Sequence, residues 1–206
     1  MSAKVQVIFY STYGHVYRLA ESVAQGAREV ADTEVELLQV AETLPREILE
    51  KMGAVEARKA FDHIPIADSK RLVEADAIIL GSPTRYGSAT AQMQAFLDAT
   101  GGLWSSGALI GKVGSAFTST ASQHGGQETT LLAMSTFFFH MGMVIAGVPY
   151  STAELLYLDE VSGGTPYGSS TIAGPRGERQ PTANELAIAR AQGRHVAQIA
   201  LKLAAK

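Results

Sequence analysis

Three polar loops hold most of the residue types here that could bind a small anionic ligand. The first reads Ser11-Thr12-Tyr13-Gly14-His15-Val16 and opens directly into an apolar-periodic segment. Two hydroxyls and a glycine turn ahead of a helix suit a phosphate dianion. A helix N-terminus offers unpaired N–H groups and a partial positive charge. No lysine or arginine falls in this loop, so N–H and O–H donors would carry the binding. Taken alone, Ser11 or Thr12 reads more often as a simple helix cap. The second loop is Gly81-Ser82-Pro83-Thr84-Arg85-Tyr86-Gly87-Ser88, which offers a stiffened turn, a hydroxyl, a cation and an aromatic ring. The third is Ser119-Thr120-Ala121-Ser122-Gln123-His124-Gly125-Gly126-Gln127, polar and too long for a minimal turn. Two familiar phosphate motifs are absent. No G-x-G-x-x-G follows the first strand, and Gly107–Lys112 is one residue short of a P-loop and precedes a strand.

These loops are separated by elements that alternate between strand and helix. Val5–Tyr10 is a β-rich run, followed by a helix expected over Tyr17–Val30. That helix has Val16, Leu19, Ala20, Val23, Ala24, Ala27 and Val30 at helical spacing. Further strands are expected at Glu34–Val40, Ala75–Gly81, Lys112–Thr118 and Met143–Val148. Helices are expected at Ala89–Asp98 and Gln127–Met141. Residues 42–72 are less regular, with one helical patch of mixed charge. Residues 159–181 hold five glycines and three prolines without periodicity, the mark of a functional or interface excursion. Thr182-Ala183-Asn184-Glu185 then forms a capping box for a last helix running to about Leu203.

Strands and helices in this rhythm imply an α/β fold with a doubly wound parallel sheet. The flavodoxin-like order 2-1-3-4-5, five-stranded with a Gly-rich C-terminal excursion, is the leading topology. In such sheets the ligand sits at the carboxyl ends of the strands where the order reverses, here between the first and third strands. The first two loops fall at that point, and the third borders the same crevice. An isoalloxazine ring needs N–H donors for its carbonyl oxygens and an aromatic or apolar face against its plane, and the Pro83–Gly87 loop can supply both.

The whole-chain properties narrow the function. The 206 residues suit a single domain over 1–206, and 46% hydrophobic residues suffice for a sizeable core. A formal charge of −3, with the basic residues scattered, argues against nucleic acid as a partner. With no cysteine there is no disulfide, thiolate nucleophile or thiolate metal site, so any redox role needs a bound cofactor. No histidine pair has metal-ligand spacing, and His63 and His195 read as surface residues. No apolar run reaches the length of a membrane span, and no signal segment is visible, so a cytoplasmic protein is expected.

In combination these segments resemble the WrbA family of NAD(P)H:quinone oxidoreductases. The matching motifs are Ser-Thr-Tyr-Gly-His at 11–15, Ser-Pro-Thr-Arg-Tyr-Gly at 82–87, Phe96–Trp104, Gly163-Gly164-Thr165-Pro166-Tyr167-Gly168 and Glu185–Arg190. They cover nearly the whole chain in order. The resemblance implies FMN as cofactor and NADH or NADPH as co-substrate, with quinones reduced to hydroquinones by ping-pong hydride transfer. It implies that Ser11, Thr12, Tyr13, Gly14, His15 and Val16 hold the phosphate. Pro83, Thr84, Arg85, Tyr86 and Gly87 would line the ring, with Ser119, Thr120, Ala121, Ser122, Gly125 and Gly126 on its pyrimidine side. His140, by itself a core or helix-end histidine, would also reach the flavin. Tyr13 is implied in nicotinamide binding, Trp104 as a wall of the quinone pocket, and a homotetramer as the assembly. The chain departs from the family at Ser122-Gln123-His124, which lengthens a loop of glycines, and the segment 43–72 carries little signature. A flavodoxin-type electron carrier and a non-enzymatic FMN-binding interaction protein are the alternatives. A phospho-receiver domain is disfavoured, since Tyr10-Ser11 and Gly81-Ser82 stand where it needs carboxylates.

Overall fold

The computed structural model describes residues 2–204. Met1, Ala205 and Lys206, the ends of the expected 1–206 domain, lie outside the described residues. The chain runs β1 (Ala3–Phe9), α1 (His15–Arg28), β2 (Thr33–Gln39), α2 (Arg46–Lys51), α3 (Val55–Arg58), a 3-10 turn (Ser69–Glu74) and β3 (Ala77–Pro83). It continues through α4 (Ala91–Asp98), α5 (Gly101–Ser106), β4 (Val113–Thr120), α6 (Gln127–His140), β5 (Val144–Ile145), a second 3-10 turn (Ala153–Leu156), β6 (Ser170–Ile172) and α7 (Ala183–Ala204). All strand pairs are parallel, and the order is β2-β1-β3-β4-β5. Crossover helices bury both faces, which is why β3 and β4 read as continuous apolar or small-residue runs rather than alternating ones.

The sheet differs from the expected one at its far edge. It has six strands, because β6 rises out of the Gly-rich excursion and pairs with the carboxyl end of β4. The fifth strand, expected over Met143–Val148, pairs at only two residues, with Val113 and Gly114. Ala146 makes a last backbone bond to Gly114, and the chain then turns off. At Gly147 the carbonyl of Pro166 lies 2.0 Å from where a Cβ would sit, so the excursion packs directly on that glycine. The excursion therefore supplies the neighbour that β5 no longer gives β4. The switch point of the fold is flanked by residues on three strand ends, β1, β3 and β4, as the sequence pattern demands.

One core lies between the sheet and α1 and α7. It includes an aromatic cluster of Phe9, Tyr17 and Phe61 with centroids 5.2–5.8 Å apart. The two helices touch backbone to backbone: a Cβ on Gly193 would sit 1.9 Å from the Val23 oxygen, and one on Gly26 1.8 Å from that of Arg190. The other core joins the sheet to α4 and α6 around Leu80, Met93, Met134 and Phe138. The capping box forms as expected, with Glu185 N–H donating to Thr182 Oγ1 and Thr182 N–H to Glu185 Oε2. No helix of the described residues is long and apolar enough to cross a membrane.

Candidate functional site

β1 ends at Phe9, and its extension is fixed by Tyr10 N–H donating to the Gly81 carbonyl on β3. The chain then turns through Ser11, whose Oγ accepts the Gly14 N–H at 3.0 Å, and Gly14 takes a left-handed φ of 92°. This geometry starts α1 at His15, two residues earlier than the expected Tyr17. The first bond of the helical ladder is Arg18 N–H to the Gly14 carbonyl, so the amides of His15, Val16 and Tyr17 carry no backbone partner. Ser11 and Thr12 are buried beside them.

These donors open into a cleft of about 260 Å³, near the small end of cofactor-sized sites. Its walls are Ser11, Thr12, Tyr13, His15 and Val16; Pro83, Thr84 and Arg85; Ser119, Thr120 and Ala121; and residues 173–177. All three loops singled out in the sequence therefore converge. Thr84 N–H donates to the Ser119 carbonyl, and Thr130 Oγ1 donates to Thr84 Oγ1 at 2.8 Å, which locks the second loop to the third. Arg85 reaches across to Thr12 Oγ1 at 3.4 Å and is also held by the Thr84 carbonyl.

The remaining positions stand around this cleft without lining it. Gly87 and Gly126 both take positive φ and sit against each other, Gly126 at the start of α6. Tyr86 projects fully into solvent from a tight turn closed by reciprocal Arg85–Ser88 backbone bonds. Ser122 accepts from Thr120 Oγ1 and from Gly125 N–H, which folds the lengthened loop back on itself. Gln123 and His124 border a neighbouring recess at the start of α6. Trp104 and His140 come together in a separate open recess with Ile110 and Phe139. His63 is exposed, and His195 is half-buried on α7.

Two contributors escaped the sequence reading. Arg58, at the end of α3, donates from Nη1 to the Ser11 carbonyl at 2.7 Å and pairs with Glu42 at 3.0 Å. It also lies over the rings of Phe61 and Tyr10, at 5.2 and 5.7 Å from their centroids. Glu42 accepts in addition from Tyr10 Oη, Gln92 Nε2 and the amides of Thr43 and Leu44. Burial pushes the Glu42 carboxyl up, but these donors and the Arg58 charge outweigh it and hold the group below the ordinary range. Burial, reinforced by the Glu42 carboxylate, drives the Tyr10 phenol up to about 12. A buried charge network thus stands directly behind the phosphate loop. The only hint in the sequence was mixed charge in a helical patch.

The second contributor is the segment 173–177, the fourth wall. His15 Nε2 lies 3.1 Å from the Gly177 carbonyl; since a carbonyl only accepts, Nε2 carries the hydrogen. Burial pushes the His15 pKa down, with the backbone contacts to 177 and 179 opposing it in part. The imidazole is therefore neutral near pH 7.

The donor set fits the phosphate end of FMN. The free amides at the positive end of α1 and two buried hydroxyls lie there, and among the described residues no carboxylate lines the cleft. Among the described residues no cluster suited to a metal ion occurs.

Comparison with known proteins agrees. The family model described as NADPH-dependent FMN reductase matches residues 4–154. A solved flavodoxin, WrbA-like protein from Agrobacterium tumefaciens superposes with a TM-score of 0.65 at 25% identity, covering 98% of this chain and 99% of that one. A protein of Geobacter metallireducens named NAD(P)H dehydrogenase (quinone) is 58% identical over 97% of this chain and 98% of its own length. One of Methanosarcina acetivorans with the same name is 58% identical over 98% of this chain and 99% of its own. The chain belongs to the WrbA family.

Proposed function

We propose that residues 1–206 act as one flavodoxin-like domain that is an FMN-dependent NAD(P)H:quinone oxidoreductase, working in the cytoplasm as a homotetramer. The observation that carries this reading is the carboxylate-free cleft at the β1/β3 switch point, with free α1 amides and the Ser11 and Thr12 hydroxyls at its floor. When bound there, FMN supplies two-electron redox chemistry between NAD(P)H and a quinone.

The chain's own residues bind, orient and exclude water. The first loop, Ser11 to Val16, grips the phosphate. Pro83, Thr84 and Arg85 and Ser119, Thr120 and Ala121 flank the ring, and Arg85 is a cation of that wall available to negative charge on a reduced ring or quinol oxygen. Tyr13, 42% exposed at the cleft's edge, is available to the nicotinamide nucleotide. No side chain need act as a nucleophile.

Assembly completes the site. Tyr86, Trp104 and Phe139 are 104%, 60% and 71% exposed in the single chain, far more than large aromatics usually are. A second copy covering them would bring the Trp104–His140 recess against a neighbouring cleft, where both residues serve the quinone and the flavin. Sedimentation should show a tetramer. Initial-rate plots against NADH at several quinone concentrations should run parallel; intersecting lines would refute a shared site for the two substrates.

A further inference from the structure

The excursion that forms the fourth wall is held at one point. Glu185, fully buried at the start of α7, gathers donors from along the whole segment. Its Oε1 accepts from Gly163 N–H at 2.8 Å and Ile172 N–H at 3.3 Å. Its Oε2 accepts from Thr171 Oγ1 at 2.7 Å and Thr182 N–H at 2.9 Å. Arg179 bridges both oxygens at 3.0 Å and donates further to the carbonyls of Ile172 and Val161. The capping role visible in the sequence uses only one of these contacts.

Beyond this neck the chain makes a short loop whose shape is otherwise set locally. Ala173 N–H bonds the Thr120 carbonyl on β4, and Arg179 N–H closes back on the Ala173 carbonyl. Gly174-Pro175-Arg176-Gly177 is a β-turn closed by Gly177 N–H to the Gly174 carbonyl, with positive φ at both glycines. The tip lines the cleft, and His15 on the opposite wall reaches the Gly177 carbonyl. The Ala173–Thr120 bond holds only the near end of the loop, whereas Glu185 ties both its ends to α7, through Thr171 and Ile172 on one side and Arg179 on the other.

We propose that Glu185 and Arg179 are positioning residues for FMN: their ion pair holds the 173–177 turn at the separation from the Ser11–Val16 loop that the cofactor requires. Neither touches the cofactor. The pair acts through the turn and governs cofactor retention rather than the chemical step. This rests on the cleft being the FMN site.

The test is titration of apoprotein with FMN, followed by flavin fluorescence, alongside the melting temperature of each apoprotein. Glu185→Gln keeps the size and removes the charge. Arg179→Ala removes the bridge, and Arg179→Lys restores one cationic contact. Val196→Ala is the control, a buried α7 position away from the excursion that costs stability alone. Thr12→Val perturbs the opposite wall. The expected result is FMN binding weakened about tenfold or more in E185Q and R179A. R179K should recover most of that loss, and V196A should melt lower yet bind FMN as the wild type does. If E185Q is not recovered folded, the R179A and R179K pair decides. The inference is overturned if R179A binds FMN within about twofold of wild type, or if its loss merely tracks melting temperature as in V196A. If T12V weakens binding while the neck variants do not, only this inference fails. If T12V also leaves binding unchanged, the cleft itself is misassigned.

Discussion

Arg58 links the least readable stretch of the sequence to the phosphate loop, and Arg58→Ala should therefore damage both fold and cofactor site. Its guanidinium and the Glu42 carboxylate are 16% and 15% exposed, so the pair counts as largely buried. Deleting one partner of a buried pair costs about 3–5 kcal/mol. Glu42 keeps four other donors here, including Tyr10 and Gln92, which brings the expected loss to about 2–3 kcal/mol. In a domain of this size that is a fall of roughly 5–10 °C in melting temperature. The Ser11 carbonyl also loses its 2.7 Å charged donor, and the loop that grips phosphate loses its anchor. FMN affinity should fall about tenfold or more. Arg58→Lys, which keeps the charge but not the fork, should fall between. Thermal melts of apoprotein and FMN titrations measure the two effects separately. An R58A protein that melts within about 1 °C of wild type and binds FMN equally well would refute the proposed support of the loop.

Gly193→Ala should force α7 away from α1, since its Cβ would meet the Val23 oxygen at 1.9 Å; urea denaturation should show a loss of at least about 2 kcal/mol despite the better helix propensity of alanine. His15 should make stability depend on pH. Burial lowers its folded pKa below 6.5, so the unfolded chain takes up the proton first. The contribution is then complete above pH 6.5 and is lost as pH falls from there through the folded pKa. His195 is lowered by burial and by Lys202 and adds a slope of the same sign, so His15→Asn should flatten the pH dependence only in part, as melts from pH 7.5 to 5 would show. Trp104→Ala should raise the KM for benzoquinone, because the proposed assembly sets this ring against a neighbouring cleft; an unchanged KM would remove Trp104 from the quinone site.

The sheet order, the switch point and the three convergent loops were legible because long periodic elements bracket them. α1 and α7 announce themselves by apolar spacing, and Thr182–Glu185 by its capping pattern. β6 was not legible: Ser170–Ile172 is three residues long, lies among glycines and prolines, and owes its pairing to β4 and to buried Gln127, Gln192 and Glu185 rather than to its own alternation. The weak β5 follows from the same cause, since the excursion takes its place beside β4. Arg58 escaped because its partners Glu42 and Ser11 lie 16 and 47 residues earlier and no local spacing joins them. The fourth wall escaped because a Pro-Gly turn carries no sign of which surface it will face. Resemblance assigns Trp104 to the wall of the quinone pocket and His140 to the flavin site. In the single chain they line a shared recess apart from the cleft, so the proposed role needs a neighbouring copy.

The most direct test of the central claim is aerobic NADH oxidation with benzoquinone as acceptor, by apoprotein with and without added FMN. Turnover should appear on adding FMN and saturate as the cleft fills. Flavin bound to the protein, visible by its absorbance, with no NADH- or NADPH-dependent quinone reduction would contradict it and leave an FMN carrier or scaffold in its place.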